Sequence, residues 1–254
     1  MNALKSQKNF ENFKRSYSYR QILEHGDKES GAQYLSIVAA RENGVLQRSL
    51  KTVLIEDDVG NPIKYRYPNI DIPLSPATLR YVKIASDLEI LFGSNLGIVR
   101  EIGCGYGGQA LVNDQVLNVE RAILYDLPCV NELIERYLNS FLLRGSYRTA
   151  VLNQETAEKS DLVISNYAFS ELPKELQKAY VAKVLCQSDR GYLIMNSGIG
   201  GSRSKGKLEL SELRKLLPDF DVLEEEPLSA NFNYVIVWGH DKIRCRKHFQ
   251  EKEV

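Results

Sequence analysis

The chain has 254 residues, 43% hydrophobic and 26% charged, with 33 Lys+Arg balanced by 33 Asp+Glu. That length allows one domain with an elaboration or two small ones, and the balanced charge supplies no global field for nucleic acid. No apolar run approaches the ~20 residues of a membrane span, the start from Met1 to Phe13 is too polar for a signal peptide, and Cys104, Cys129, Cys186 and Cys245 show neither C-x-x-C nor metal-ligand spacing. A cytoplasmic protein with reduced thiols and no structural zinc is expected.

In chain order, Lys5, Lys8, Lys14, Arg15 and Arg20 punctuate a polar, helix-prone start that reads as a solvated face. Thr52–Ile55, Asp58–Pro62 and Ile63–Tyr67 read as strand, turn and strand. Ser75-Pro76 opens a helix, with serine as N-cap and proline at the first position, and Leu79, Val82, Leu88 and Leu91 mark its apolar face.

From Gly97 the pattern alternates. Strands are predicted at Ile98–Ile102, Ala122–Tyr125, Thr149–Leu152, Leu162–Ser165, Tyr192–Met195, Phe220–Leu223 and Tyr234–Trp238. Helices are predicted at Gly108–Gln115, Cys129–Leu143, Pro173–Cys186 and Leu208–Leu217, with a short link near Glu155. Such alternation argues a parallel sheet covered on both faces, with ligands bound at the carboxyl edge. The stretch between the last two strands, with Pro227 and Asn231, leaves no room for a crossover helix, so that pair should be antiparallel. Gly198–Lys207 is expected to be a mobile loop, and Asp241–Val254 a loosely held helix or tail. The division is then 1–95 (a helical and hairpin lid, for substrate or dimer contacts), 96–240 (the sheet domain) and 241–254 (a charged tail).

The most informative run is Val99 to Gly108, where a strand turns through Gly103 and Gly105 into a helix. Glycine lets backbone approach a ligand closely, and the helix start presents free N–H groups. Gly103, Gly105 and Gly108 with Asp126 also satisfy a dinucleotide fingerprint. Glu101 decides between the two cofactors: a carboxylate there disfavours a pyrophosphate and suits the cationic amino group of S-adenosylmethionine. Cys104 and Tyr106 complete the cradle.

Asp126 ends the second strand, where its carboxylate can accept both ribose hydroxyls; N-capping the helix after Pro128 is the alternative role. Leu127 would cover the adenine, and Asn153 and Gln154 would meet its exocyclic amine, with ordinary turn polarity as the equal alternative. After the fourth strand, Asn166 would touch the cofactor, and Tyr167 and Glu171 could face the acceptor; for Glu171 the alternative is an acid that favours the dipole at the helix start before Pro173. Asn196 and Ser197 could bind a polar acceptor such as a sugar. O-methylation calls for a base or a metal, and no metal ligand set is visible. Among the histidines, His240 should lie on the opposite edge and His248 in the tail. His25 is the one histidine that a folded-over N-terminal lid could deliver; a plain surface histidine is the alternative, and the base stays open.

A mostly parallel sheet closed by an antiparallel hairpin resembles class I S-adenosylmethionine-dependent methyltransferases. More specifically, Gly60-Asn61-Pro62 with Tyr65 and Tyr67, Ser75-Pro76-Ala77-Thr78-Leu79-Arg80-Tyr81, Glu101–Gly108 and Asp161–Leu172 are similar to bacterial sugar O-methyltransferases found among genes for surface glycans. The resemblance implies an α/β, three-layer Rossmann-like methyltransferase sheet with an N-terminal helical and hairpin extension. It also implies methyl transfer from S-adenosyl-L-methionine to a sugar hydroxyl of a nucleotide-sugar or glycan. A phenolic or natural-product acceptor, and a non-catalytic cofactor-binding scaffold, are the alternatives. Metal dependence stays open, a homodimer is possible, and no nucleic-acid partner is expected because the Asn/Asp-Pro-Pro-aromatic motif of base methylation is missing.

Overall fold

The structure, a computed structural model, describes residues 2–54, 57–154, 158–196 and 206–252. The strands β1 Asn95–Ile102, β2 Asn118–Tyr125, β3 Ser146–Ala150, β4 Ser160–Asn166, β5 Ser188–Met195, β6 Asp221–Glu224 and β7 Tyr234–Trp238 form one sheet, ordered β3-β2-β1-β4-β5-β7-β6. β1 to β5 pair in parallel, and β7 runs antiparallel between β5 and β6. This is the Rossmann-like, mostly parallel sheet that the alternation and the closing hairpin predict. The chain leaves β1 toward β2 and β3, then returns to β1's other side with β4, which opens a crevice at the carboxyl ends of β1 and β4.

Helices in chain order are α1 Gln7–Glu11, α2 Tyr17–Ile22, α3 Lys28–Arg41, α4 Val45–Lys51, α5 Pro76–Phe92, α6 Gly108–Val116, α7 Pro128–Leu138, α8 Ala168–Glu171, α9 Lys174–Lys183, α10 Leu210–Leu216 and α11 Lys242–His248. Successive strand residues face opposite sides. Leu124, Leu162, Ile164, Tyr192 and Ile194 join one core with α5, α6 and α7, while Ile123, Val163, Leu193 and Met195 join the other with α9 and α10. The sheet is therefore the middle of three layers. No helix among the described residues is long and apolar enough to cross a membrane.

The expected apolar stripe of α5 is present, but nearly the whole helix is buried, Lys83 and Asp87 included. The N-terminal helix α3 and the closing helix α11 cover the side that a surface helix would leave wet. Asp87 is satisfied there by Lys83 Nζ at 2.8 Å, Tyr192 Oη at 2.5 Å and Arg41. Ser75 is the N-cap residue of α5, yet its hydroxyl makes no capping bond.

Three expectations change, one of them at Lys14, which is buried and paired with Asp57 instead of lying on a solvated face. Thr52–Leu54 is a turn, and the extended stretch after Pro62 pairs instead through Tyr65 with Leu74, exchanging N–H···O bonds of 2.9 Å in both directions. The turn signal is real, since Gly60 and Asn61 have φ of 83° and 55°. Its carbonyl, however, accepts Lys14 N at 3.0 Å, so the turn docks the N-terminal segment instead of a hairpin partner. The third change is at the C-terminus, which is held. Asp241 caps α11 by accepting from the N–H groups of Ile243 and Arg244, Cys245 and Phe249 are buried, and residues 250–252 run along β6. The link at Glu155, Ser197, and the Gly198–Lys207 loop apart from Gly206 and Lys207 lie outside the described residues.

Candidate functional site

The turn between β1 and α6 is built on left-handed backbone, with φ of 74° at Gly103, 61° at Gly105 and 90° at Gly107. Gly103 N donates to Tyr125 O at 2.8 Å, tying the turn to the end of β2. A Cβ at Gly103 would overlap that of Ala168 and require positive φ. Gly103→Ala is therefore expected to cost about 1–3 kcal/mol in left-handed strain, with the clash adding to it, read as a fall in thermal midpoint.

Glu101 is buried near the end of β1, and its Oε2 has no hydrogen-bond partner. Asn166, ending β4, donates from Nδ2 to Gln109 Oε1 at 3.4 Å, which leaves its buried Oδ1 without a partner. Two orphaned acceptors thus flank the crevice, an arrangement that costs free energy until a donor arrives. Burial, with Asp126 nearby, pushes the Glu101 carboxyl up to about 8. Burial also raises Asp126, against the bonds it accepts from the backbone.

Asp126 Oδ2 accepts Gly105 N at 3.0 Å and Oδ1 accepts Leu127 N at 2.8 Å. The N-cap of α7 is Leu127, so the capping alternative for Asp126 is not what the side chain does. Leu127 is 65% exposed beside it, an apolar surface without cover. Asn153 is exposed in the turn after β3. Cys104 and Tyr106 are buried inward, so their backbone alone can serve the turn: the Cys104 thiol donates to Glu101 O, and Tyr106 Oη donates to Glu24 Oε1 at 2.8 Å.

That last bond is made by the N-terminal segment. Residues 13–24 lie on the glycine turn: Phe13 meets Tyr106 edge-on with centroids 5.3 Å apart, and Leu23 Cδ1 is 2.8 Å from where a Gly105 Cβ would stand. Beside Leu23 opens a cavity of about 370 Å³, walled by residues 23–34, the start of α5 and the Pro227–Ser229 turn. His25, Tyr34, Arg80 and Ser229 line it. His25 Nδ1 lies 3.2 Å from Ile22 O, and burial, followed by the Arg80 charge, lowers its pKa.

Tyr167 and Glu171 follow β4 but do not line this cavity. Tyr167 holds φ 71°, ψ −37°, and its hydroxyl donates to the buried Glu225 carboxylate. Glu225 also accepts from Ser229 N at 2.9 Å and Asn233 Nδ2 at 3.0 Å. Burial and Glu225 hold the Tyr167 hydroxyl far above its ordinary pKa. Glu171 Oε1 accepts Asn196 Nδ2 at 2.7 Å, joining the loops after β4 and β5. His240 follows Trp238, whose partner Gly191 is in the first half of β5, so it is on the opposite edge, 3.1 Å from Asp221. Among the described residues no group of three or more His, Cys, Asp or Glu could hold a metal ion.

Of the functional candidates, sequence reasoning missed Glu24, Tyr34 and Glu225, and quoted Arg80 only within the Ser75–Tyr81 motif. Glu225, flanked by Glu224 and Glu226, has the look of a surface acid run, yet it is buried with Tyr167, Ser229 and Asn233 as its partners.

No protein-family model matches the chain, and no curated protein matches it by sequence. Among solved structures it is similar to magnesium protoporphyrin IX methyltransferase from Synechocystis PCC 6803 with bound SAH (16% identity, 63% of this chain and 80% of that one, TM-score 0.44). It is also similar to an S-adenosylmethionine-dependent methyltransferase from Clostridium acetobutylicum ATCC 824 (11%, 62% and 88%, TM-score 0.47). A third is an O-methyltransferase from neocarzinostatin biosynthesis in complex with S-adenosylmethionine and 2-hydroxy-5-methyl naphthoic acid (12%, 64% and 57%, TM-score 0.43). These likenesses carry no argument about the site, and what it does follows from its own residues.

Proposed function

We propose that the chain is an S-adenosylmethionine-dependent methyltransferase that acts on a hydroxyl of a small molecule, with a sugar of a nucleotide-sugar or glycan as the acceptor. The observation that carries the reading is the pair of buried, unpartnered acceptors, Glu101 Oε2 and Asn166 Oδ1, beside the glycine turn. Acceptors alone suit a cation rich in N–H donors, such as an α-ammonium, and oppose a pyrophosphate. When bound, S-adenosylmethionine supplies a methyl group already activated on a sulfonium.

The rest of the work is positioning and proton removal. Glu101 and Asn166 accept from the ammonium group. Asp126 keeps lone pairs beyond its backbone bonds for the ribose hydroxyls, and Leu127 offers the adenine an apolar face, with Asn153 and Gln154 next along the edge. His25 is the base of this reading: with Nδ1–H donating to Ile22 O, Nε2 is the accepting nitrogen, and the lowered pKa keeps the ring neutral near pH 7. Tyr167 and Glu171 orient the loop after β4 through Glu225 and Asn196. The sugar part rests on the motif resemblance and on the polar Asn196 end of β5.

Calorimetric titration with S-adenosylhomocysteine, against NAD as control, tests the cofactor. Binding of the former alone is expected, and Asp126→Ala should weaken it roughly 10- to 100-fold, the value of one charge-assisted hydrogen bond or slightly more. Binding of NAD alone would return the glycine turn to the dinucleotide class. Turnover of nucleotide-sugars but not phenols would then favour the sugar acceptor over its aromatic alternative.

A further inference from the structure

We propose that Arg80 receives an anionic group of the acceptor, a carboxylate or a phosphate, inside the cavity it shares with His25 and Tyr34. The inference rests on the methyl-transfer reading and adds to it the charge of the substrate. A cavity of about 370 Å³ falls in the range that holds small molecules. Leu23 walls it and also covers Gly105, so cavity and glycine turn are neighbours.

Among the described residues, Arg80 forms no ion pair with a carboxylate: its guanidinium lies 5.3 Å over the Tyr81 ring, and Glu24 acts on it only at longer range. Its Nε is buried with no partner, and Nη2 makes one long bond, 3.4 Å, to Leu23 O. Other buried cations are paired: Lys14 with Asp57 at 3.2 Å, Lys83 with Asp87 at 2.8 Å, and Arg41 with Asp87. Arg100, deep under the sheet, is held by the carbonyls of Lys183 and Glu158. Arg80 is half-buried at the cavity wall with no carboxylate in ion-pair contact, and a ligand that brings an anion would complete the pair.

Glu24 and Glu225 accept their hydrogen bonds from other groups, while Asp27 and Glu29 line the cavity together with Arg80. Glu24 takes the Tyr106 hydroxyl, and Glu225 is saturated by Tyr167, Ser229 and Asn233. Asp27 caps α3 through Ser30 N at 2.8 Å, and Glu29 is an exposed residue of that helix's first turn. What remains for the ligand is the planar fork of Arg80, suited to two parallel bonds with carboxylate or phosphate oxygens. The neutral donors and acceptors Ser30, Gln33, Tyr34 and Ser229 are left for sugar hydroxyls.

The test compares three probes on the full chain, with and without S-adenosylhomocysteine: methyl glucoside, methyl glucuronoside and UDP-glucose. At least one anionic probe is expected to bind about tenfold or more tighter than the neutral one, the yield of a charge-assisted pair. Preference for the glucuronoside alone assigns a carboxylate, and preference for UDP-glucose alone a phosphate. Arg80→Gln should cancel the preference, and Arg80→Lys should keep part of it. Equal binding of all three, no anion-dependent binding at all, or a preference that survives Arg80→Gln overturns the inference. Should Arg80→Gln fail to fold, the comparison of probes on the unmodified chain decides by itself. Failure of S-adenosylhomocysteine to bind would overturn the methyl-transfer reading, while the measurements without it still report on Arg80.

Discussion

Glu101→Gln is expected to lower S-adenosylhomocysteine affinity by roughly 100-fold, because it removes a buried carboxylate facing an ammonium group. The same residue dictates a pH profile. With its carboxyl raised to about 8 in the free protein, Glu101 must shed a proton before it can pair with a cation. Affinity should therefore rise about tenfold per pH unit below that value and level off above it. Stability of the free protein runs the other way. Between the ordinary carboxylate range and about 8 the folded chain holds a proton that the unfolded chain has lost. Stability thus falls as pH rises through that window and is flat beyond it. Glu101→Gln should abolish both slopes. Calorimetry and thermal denaturation from about pH 6 to about pH 9 read them together; flat profiles in the unmodified protein would mean that Glu101 is ionised throughout.

The second large effect lies far from the crevice in sequence. Lys14 is 1% exposed, 3.2 Å from Asp57 Oδ1, with its Nζ over the rings of Tyr106 and Tyr137 at 4.8 and 5.1 Å. Asp57 accepts Thr78 Oγ1 at 2.6 Å as well. Lys14→Ala leaves that carboxylate buried beside a neutral hydroxyl, which costs about 3–5 kcal/mol for a broken buried pair. The loss should appear as a large drop in thermal midpoint. It should also bring faster proteolysis within residues 1–24, since Lys14 anchors the segment that lies on the glycine turn. A midpoint unchanged from the unmodified protein would show the pair to be dispensable.

The sheet was legible because its signals are local. Glycines at Gly103 and Gly105 force one kind of turn, apolar runs such as Leu162–Ser165 have one partner-independent reading, and Pro227 excludes a crossover helix. Glu101 and Asp126 sit at the crevice for the same reason, each at the end of a strand whose position in the sheet follows from chain order. Less could be read where meaning depends on a distant partner. Gly60-Asn61 announces a turn, but nothing in it says that Lys14 will dock there. Lys14 itself, among the basic residues at the start, looks solvated until Asp57 and Tyr137 are folded around it. Arg80 lies on a helix buried by segments distant in sequence, so its lack of an ion-pair partner among the described residues is visible only in the assembled molecule.

The C-terminal residues give the sheet a finished margin. Glu224 N donates to Gln250 O at 2.9 Å and Lys252 N to Val222 O at 2.8 Å, so the outward main-chain groups of β6 are already engaged. A bare strand margin is a template on which another chain can add its own strand. On this side the template is consumed by the molecule itself, and strand-to-strand growth between copies is blocked there. Association between copies is left to helical surfaces or to the far margin at β3.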